Sequence, residues 1–404
     1  MAKQRTFVGF GFGAIQSGLF VYEAWRSGNF DRLVVAEVMP QVVATIRGNG
    51  GKYGLNVAMP AGIEHHTVGP IEILNPAVED DRARLIEAVA EAAEVATALP
   101  SVKFYGEGKS GDVVDILAAG VARKGSSPKL PAAVIYTGEN HNHAAEILTQ
   151  LLERRLGGAL SASRVQVLNT VIGKMSGVVT DAVQIAEQAL IPLAPDSVRA
   201  FLVEAFNRIL ITKIDLPGFQ RGIEVFEEKH DLLPFEEAKL YGHNATHALI
   251  GYLLRAQGGS YMSEAAGNED LIKLAREAFL QESGGALCRK YCGIDSLFTE
   301  QGYKLYVEDL LARMTNPHLR DAVDRITRDT RRKLGWEDRL VGTMRLALGQ
   351  GICPVRYARG TAAAVRQLAI EESLSPDGVL EELWSGCGEA ETVAEVRKLI
   401  KAAI

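Results

Sequence analysis

Three polar residues stand in the middle of an otherwise apolar stretch: Lys239, Asn244 and His247. A proline and two acids shortly before them are typical of a helix start, and an arginine followed by a glycine pair is typical of its end. At about 100° per residue, the three side chains fall at roughly 0°, 140° and 80° around one helix. One broad face therefore carries an amine, an amide and an imidazole.

Two interpretations of this polar face follow from the residue types. Burying such groups without partners costs about 1–3 kcal/mol each, so they could form a polar network that bridges helices. Alternatively, Lys239 could be a general base, with Asn244 and His247 as hydrogen-bonding groups beside a substrate. The spacing alone does not choose between the two.

A glycine-rich turn near the start of the chain joins a predicted strand, residues 6–10, to a predicted helix. A second predicted strand, residues 33–38, carries an acid, Glu37, near its end. Together these elements predict a dinucleotide-binding βαβ unit, because glycines let the backbone approach a pyrophosphate at a helix N-terminus. The terminal acid would accept both ribose hydroxyls and repel a 2′-phosphate, which favours NAD over NADP. The candidate cofactor-binding residues of this unit are Gly11, Gly13, Ala14, Ile15 and Glu37.

The glycine pattern departs from G-x-G-x-x-G at one position. Gln16 stands where the third glycine is expected, and Gly18 follows two residues later. Glycines alone are a weak signal, so the prediction depends on the strand, helix, second strand and acid occurring together.

A third predicted strand, residues 132–136, leads into Glu139-Asn140-His141-Asn-His143. Open parallel sheets bind ligands at the carboxyl ends of their strands, so Asn140 is a candidate contact to the nicotinamide ribose. The two histidines beside Glu139 suggest a metal site, but convincing third and fourth ligands are missing. The sequence therefore predicts no metal.

The remaining pattern predicts two domains of different character. Residues 79–96 read as a helix, and 165–168 as a further strand of the sheet. Beyond two prolines at 192 and 195, helical patterns dominate, beginning with 196–210. The predicted fold class is α/β plus all-α: a Rossmann-like, parallel-sheet, NAD-binding domain over residues 1–194 and a mostly helical, substrate-binding domain over 195–404.

Composition indicates an ordinary globular protein. The chain has 404 residues, 47% of them hydrophobic and 23% charged, and a net charge of −6, which argues against a nucleic-acid partner. The sequence has no apolar run long enough to span a bilayer and no signal-peptide pattern, so a cytoplasmic protein without a membrane partner is expected. A monomer or homodimer is expected. Its four cysteines lack disulfide or zinc spacing and read as reduced thiols.

Several motifs together resemble one family, the long-chain, metal-independent polyol dehydrogenases, also called the mannitol dehydrogenase family. The spacing Lys-x-x-x-x-Asn-x-x-His over 239–247 resembles its signature, and Glu139-Asn140 resembles its acid–asparagine pair. The segments 10–20, 168–175, 313–321 and 328–342 agree in chain order, the last two especially with the mannitol-1-phosphate branch. Departures occur at Gly173 and Lys174, where the family often has aspartate and arginine.

The resemblance implies metal-independent hydride transfer between a secondary alcohol of a sugar alcohol and NAD. It assigns Lys239 as the general base, with a pKa lowered by desolvation. Asn169 and Asn244 would donate hydrogen bonds to the developing alkoxide, and His247 would orient the substrate hydroxyl.

The implied substrate is mannitol 1-phosphate, oxidised to fructose 6-phosphate. A phosphate needs cations, and Arg313 and Arg331 are the candidates, although arginines along helices are as often solvated or paired with acids. Unphosphorylated mannitol, another polyol or a hexuronate is the alternative. A dinucleotide-binding protein without chemistry is disfavoured, because a sensor has no need of this lysine, both asparagines and the histidine as a set.

Overall fold

The computed structural model describes residues 5–106, 111–160, 164–195 and 197–404. The chain divides into two compact units, Met1–Leu232 and Leu233–Ile404. The boundary differs from the predicted one after residue 194, because the segment beyond 195 contributes further strands to the first unit instead of starting the helical one.

The strands of the first unit are β1 (Thr6–Phe10), β2 (Arg32–Ala36), β3 (Tyr53–Met59), β4 (Gly62–Val68), β5 (Glu72–Leu74), β6 (Ala92–Thr97), β7 (Ala133–Thr137), β8 (Val165–Val171), β9 (Ser176–Val179), β10 (Ala200–Glu204), β11 (Leu210–Thr212) and β12 (Glu227–Lys229). Its helices are α1 (Val21–Ser27), α2 (Pro40–Gly48), α3 (Glu79–Glu91), α4 (Val113–Ser126), α5 (Ala144–Leu156) and α6 (Ala182–Glu187).

The main sheet is a doubly wound parallel sheet. Its parallel part runs β5–β2–β1–β6–β7–β8, and β11 and β12 extend the β8 edge. This is the 3-2-1-4-5-6 strand order of dinucleotide-binding folds. β1 and β7 are buried along their whole length, as expected for parallel strands covered by helices on both faces. The predicted Rossmann-like fold of this unit is confirmed.

A second, smaller sheet has the order β4–β3–β10–β9. β3 and β4 form an antiparallel hairpin, and β10 pairs in parallel with β3. The predicted helix over 196–210 is therefore wrong. Its Ala-Phe-Leu-Val run is a buried strand, and a short apolar run cannot be assigned to helix or strand from periodicity alone.

The predicted helix over 79–96 is also wrong in its last part. α3 ends at Glu91, and the next six residues form β6, which pairs with β1 and β7 at the centre of the sheet. The alanines of this segment favour a helix locally, but pairing with two neighbouring strands decides its conformation.

The second unit is helical. Its helices are α7 (Leu233–Glu237), α8 (Ala245–Ala256), α9 (Glu269–Glu277), α10 (Gly285–Lys290), α11 (Glu300–Met314), α12 (Val323–Thr327), α13 (Thr330–Lys333), α14 (Val341–Gly349), α15 (Val355–Glu372), α16 (Pro376–Trp384) and α17 (Ala390–Ala403). The apolar core of this unit includes Leu249 and Tyr252 of α8 and Tyr357 and Val365 of α15. Within the described residues, no helix combines the length and the hydrophobicity that crossing a bilayer would require.

Two π-helical segments interrupt this helical unit. Ala238–Asn244 continues α7 directly into α8, and Ala278–Gly284 continues α9 into α10. Short π-helical segments within α-helices occur frequently at functional sites. The first of them carries two of the predicted catalytic residues.

Candidate active site

Lys239 and Asn244 lie near the two ends of the π-helical segment Ala238–Asn244. An α-helix would separate these residues by about 140° around its axis. In a π-helical turn the backbone bonds connect residues five apart, so such residues lie toward the same side of the helix. The structure therefore brings the amine and the amide closer to one face than the sequence spacing predicted.

The environment of Lys239 disfavours a charged amine. Burial and, to a smaller extent, the Arg339 guanidinium together lower the pKa of Lys239 to about 8, and Glu236 opposes the shift. Desolvation is the first of these causes. A lysine with this pKa is substantially neutral in mildly alkaline solution and can accept a proton there.

His243, one turn before His247, was missed by the sequence analysis. Its side chain is buried, and its ring lies 6.1 Å from that of His247. Burial is the main reason that the pKa of His243 lies well below the ordinary value. The nearby His247, Arg313, Lys239 and Arg339 lower it further. His243 is therefore a neutral imidazole surrounded by cations. In the sequence, its position next to Asn244 was the one feature that could have marked it as a candidate site residue.

His247 has a carboxylate partner. Its Nε2 lies 3.1 Å from Oδ2 of Asp321, and both side chains are buried. Arg325 donates two hydrogen bonds of 2.7 Å to the same carboxylate. The pKa of Asp321 is low: burial would raise it, but contact with His247 and Arg325 outweighs burial. Asp321 is thus an ionised acceptor between an imidazole and a guanidinium.

The two candidate phosphate cations have different surroundings. Arg313 is largely buried, binds Asp309 at 3.0 Å and lies close enough to His243 to lower the pKa of its imidazole. Arg331 is exposed and binds Glu372 at 2.5 Å and Glu382 at 3.0 Å, which raises the pKa of its guanidinium. Arg331 therefore belongs to a surface ion network, the alternative that the sequence analysis left open.

Arg339 is a further cation that the sequence analysis did not select. Its Nε donates to Asp338 at 2.8 Å, and its charge acts on both Lys239 and His243. It lies in the arginine-rich segment that the family resemblance had pointed to, but the spacing of arginines there could not show which of them approaches Lys239.

In the first unit, the predicted cofactor-binding residues follow the carboxyl ends of neighbouring parallel strands. Gly11 follows β1 with a φ of 92°, a conformation that favours glycine, and a Cβ there would lie 2.9 Å from the carbonyl oxygen of Ala98. A Cβ on Gly13 would meet nothing, so the backbone is open there. Ala14 and Ile15 begin a helical segment that continues through the π-helical turn Gln16–Phe20 into α1, and their N–H groups belong to its first turn.

The displaced third glycine has a structural explanation. The buried side chain of Gln16 fills the space beside Gly9 of β1, where an added Cβ would lie 2.1 Å from the Gln16 Nε2. Gly18 lies against the second sheet, and a Cβ there would lie 2.5 Å from Val203 of β10. This helical segment thus packs closely against two sheets. Its glycines stand at positions that differ from those of G-x-G-x-x-G.

Glu37 follows β2 and is buried. Its Oε1 accepts a hydrogen bond of 2.7 Å from the Met39 backbone N–H, which fixes the carboxylate at the sheet edge. This is the position at which dinucleotide-binding folds hold a ribose diol. An open glycine turn, a helix N-terminus and an oriented acid together fit a dinucleotide without a 2′-phosphate.

Glu139 and Asn140 follow β7 but differ in environment. Asn140 is exposed at the sheet edge. Glu139 is buried and accepts hydrogen bonds from Thr97 Oγ1 at 2.8 Å, the Leu99 N–H at 2.9 Å and the Tyr105 hydroxyl at 2.5 Å. Burial raises the pKa of Glu139, and these three donors oppose the shift. The Glu139 carboxylate therefore connects the end of β7 to the segment that contains Thr97, Leu99 and Tyr105. Asn140 is the candidate for binding a ligand.

The histidines after Asn140 are exposed, and the His141 ring accepts a hydrogen bond of 3.1 Å from the backbone N–H of His143. Among the residues that the structure describes, no three histidines, cysteines or acids are grouped as metal ligands.

Asn169 lies in β8, paired with Thr137 of β7. Its Oδ1 accepts a hydrogen bond of 2.8 Å from Ala145 at the start of α5, and its Nδ2 donates to Glu146 at 2.8 Å. An amide nitrogen carries two hydrogens, so one remains for a ligand. The amide is held in a fixed orientation by the start of α5.

The strand order, the open glycine turn and the acid after β2 define a Rossmann-type dinucleotide-binding fold, here followed by a helical unit. The helical unit belongs to the mannitol dehydrogenase C-terminal domain family. Residues 231–399 match the model of the mannitol dehydrogenase C-terminal domain.

Curated relatives agree with this assignment. The chain is 27% identical to mannitol-1-phosphate 5-dehydrogenase of Bacillus licheniformis, over 88% of this chain and 86% of the relative. It is 27% identical to the protein of the same name from Bacillus pumilus, over 94% of both chains.

Solved structures agree in fold. A substrate-free D-sorbitol dehydrogenase superposes with a TM-score of 0.74 at 13% identity, covering 99% of this chain and 96% of that one. The mannitol 2-dehydrogenase of Pseudomonas fluorescens, in a ternary complex with NAD and D-mannitol, superposes with a TM-score of 0.71 at 15% identity, covering 99% and 92%. The predicted family and fold class are confirmed.

Proposed function

We propose that this protein is an NAD-dependent, metal-independent polyol dehydrogenase that interconverts mannitol 1-phosphate and fructose 6-phosphate. The observation that carries the proposal is the partly buried Lys239, with its pKa lowered to about 8, on the same helix as Asn244 and His247. The names of the curated relatives support the phosphorylated substrate.

The chain's own residues would handle the proton and orient the substrate. Bound NAD supplies the hydride acceptor. Lys239 accepts the proton of the reacting hydroxyl, since its pKa allows a neutral amine near physiological pH. Asn169 and Asn244 donate amide hydrogens to the developing alkoxide, a preorganised stabilisation that water would provide less well. His247 orients the substrate through a hydrogen bond.

The cofactor would be held by the first unit. The backbone at Gly11, Gly13, Ala14 and Ile15 would approach the pyrophosphate at the helix N-terminus. Glu37 would accept the ribose hydroxyls and repel a 2′-phosphate, and the exposed Asn140 would contact the nicotinamide ribose. The proposal includes a cytoplasmic location and a monomeric or homodimeric state, the latter testable by light scattering.

Arg313 is the stronger of the two candidate cations for the substrate phosphate. It is largely buried, binds one carboxylate, that of Asp309, and lies close enough to His243 to lower the pKa of its imidazole, whereas Arg331 is exposed and binds two carboxylates. Charge-assisted hydrogen bonds from an arginine suit phosphate oxygens.

A substrate panel tests the proposal. Formation of NADH or NADPH would be followed with mannitol 1-phosphate, mannitol and sorbitol, each with NAD and NADP. Reduction of a hexuronate would be followed by the consumption of NADH or NADPH. We expect the phosphorylated polyol with NAD to give the highest kcat/KM. Equal or faster turnover of free mannitol would favour the unphosphorylated alternative, and no turnover with any substrate would contradict a dehydrogenase.

A further inference from the structure

Asp321 connects His247, which the proposed mechanism uses, with Arg325, which has no role in that mechanism. One of its oxygens lies 3.1 Å from Nε2 of His247, and Arg325 donates to both of its oxygens at 2.7 Å. The side chain is 6% exposed, and the backbone carbonyl of the same residue accepts a hydrogen bond of 2.9 Å from the Met262 N–H. Asp321 is therefore fixed in position by its backbone and by its side chain.

The protonation of His247 follows from this arrangement. A carboxylate that binds a guanidinium in two places is ionised and can only accept hydrogen bonds. The ring nitrogen that faces it, Nε2, must then carry the hydrogen. The distance of 3.1 Å between Nε2 of His247 and Oδ2 of Asp321 is that of a hydrogen bond, but the two groups do not meet the geometry of a well-formed one. Such loose geometry is common for catalytic hydrogen bonds before the substrate is bound.

We propose that Asp321 is a positioning residue that keeps the hydrogen of the neutral His247 ring on Nε2, so that Nδ1 of this form accepts a hydrogen bond from a substrate hydroxyl. This inference rests on the proposed function.

The tautomer determines which substrate group His247 can bind. The reacting hydroxyl has one hydrogen, and Lys239 takes it. An Nδ1 acceptor must therefore bind the hydrogen of a different hydroxyl of the same substrate. A polyol has such a hydroxyl, and a simple secondary alcohol does not.

Arg325 makes the inference testable, because it controls how an amide would sit at position 321. In an Asp321→Asn variant, Arg325 requires an acceptor and would hold the Asn oxygen. The amide nitrogen would then face His247 and donate to Nε2, which inverts the tautomer. In the double variant Asp321→Asn with Arg325→Leu, the amide is free to rotate, and its oxygen can face His247 again.

The full-length protein would be labelled with ¹⁵N-histidine, and the His247 signals assigned by their loss in His247→Gln. Spectra would be recorded above the ordinary titration range of histidine, without substrate. We expect hydrogen on Nε2 in the wild type, on Nδ1 in Asp321→Asn, and on Nε2 again in the double variant. Hydrogen on Nδ1 in the wild type, or an unchanged tautomer in Asp321→Asn, would overturn the inference.

Kinetics provide the second measurement. We expect kcat of Asp321→Asn to fall by about 10²-fold, with partial recovery in the double variant. The effect should be smaller than the roughly 10⁴-fold loss from a wrong histidine tautomer in serine proteases, because His247 does not take the transferred proton. The matched control is Asp324→Asn: this acid is exposed and binds Arg255, and its loss should leave turnover unchanged.

The two measurements separate this inference from the proposed function. An inverted tautomer with unchanged kcat, or no recovery in the double variant, would show that Asp321 does not position His247 for the reaction. If the wild type turned over no polyol, the proposed function would fail, and the nitrogen spectra would still decide whether Asp321 sets the tautomer.

Discussion

Arg339 lies close enough to Lys239 to oppose protonation of its amine. Burial is the larger cause of the lowered lysine pKa, and the guanidinium adds to it, so that the pKa lies at about 8. The helical unit thus surrounds the amine of Lys239 with a buried environment and places a second cation near it. Both disfavour the ammonium form, and both are features that general-base lysines use.

The first prediction concerns the pH dependence of the reaction. Polyol oxidation needs the neutral amine, so kcat/KM should rise with pH through about 8 and then level off, while the reverse reduction should decline over the same range. Replacing Arg339 by Gln removes a cation and should shift the rising limb to higher pH. The control is Arg276→Gln, a partly exposed arginine paired with Glu308. Identical pH profiles for wild type and Arg339→Gln would contradict this role.

The second prediction is that Lys239→Met stabilises the protein while abolishing most turnover. The folded pKa of about 8 lies below the ordinary 10.5, so the unfolded chain binds more protons between these values. Wild-type stability should therefore gain from this group as pH rises from 8 to 10.5, and its burial should be unfavourable at pH 7.

The free energy of unfolding in urea, measured at pH 7 and pH 10, checks this prediction. Lys239→Met should gain more relative to wild type at pH 7 than at pH 10. NAD binding, followed by fluorescence, should be retained. A variant with near-wild-type turnover would show that Lys239 is not the base.

The sequence predicted the helix that carries Lys239, Asn244 and His247, because its apolar pattern and end signals are local. It could not predict the π-helical turn, since nothing in those signals distinguishes five-residue from four-residue backbone bonding. The same limit explains β6 and β10: an alanine-rich segment and a short apolar run become strands only because neighbouring strands pair with them.

The cations around the candidate site show a second limit. Arg331 and Arg339 lie in one arginine-rich segment and look equivalent in sequence, yet one binds Glu372 and Glu382 and the other approaches Lys239. Partners distant in the chain make that difference. The position of Glu37 at the sheet edge was predictable, because the local pattern shows where the strand before it ends.

The third prediction concerns cofactor choice. Replacing Glu37 by Ala removes the acceptor for the ribose hydroxyls, whose charged hydrogen bonds are worth about 1.5–3 kcal/mol. KM for NAD should rise about 10- to 100-fold, and NADP should become a comparable cofactor because the repulsion of its 2′-phosphate is gone. The control is Glu79→Gln, an exposed acid at the start of α3. Continued rejection of NADP by the Ala variant would contradict the assignment.

The fourth prediction separates the two phosphate candidates. Arg313→Ala should raise KM for mannitol 1-phosphate by about 10- to 100-fold and leave KM for free mannitol little changed, because only the phosphate loses a charged partner. Arg331→Ala should alter both KM values by less than about threefold, since its guanidinium is engaged on the surface. The reverse ranking would place the phosphate at Arg331.

The fifth prediction concerns the packing that supports the π-helical segment Ala238–Asn244. A Cβ on Gly284 would lie 2.6 Å from Cε1 of Tyr303 and 2.7 Å from the carbonyl oxygen of Phe279. Tyr303 also lies against Gly242, where a Cβ would be 2.7 Å from its hydroxyl oxygen. Gly284→Ala therefore forces Tyr303 toward the segment that carries Lys239 and should destabilise the fold by about 1–3 kcal/mol.

The matched control is Gly349→Ala at the end of α14, where an added Cβ meets nothing and the stability should be unchanged or improved. Urea unfolding measures both variants. Because the displaced Tyr303 acts on the helix of the base, Gly284→Ala should also lower kcat under conditions where it remains folded, with KM for NAD unchanged. A loss of stability without any loss of kcat would show that the two π-helical segments are coupled in packing but not in catalysis.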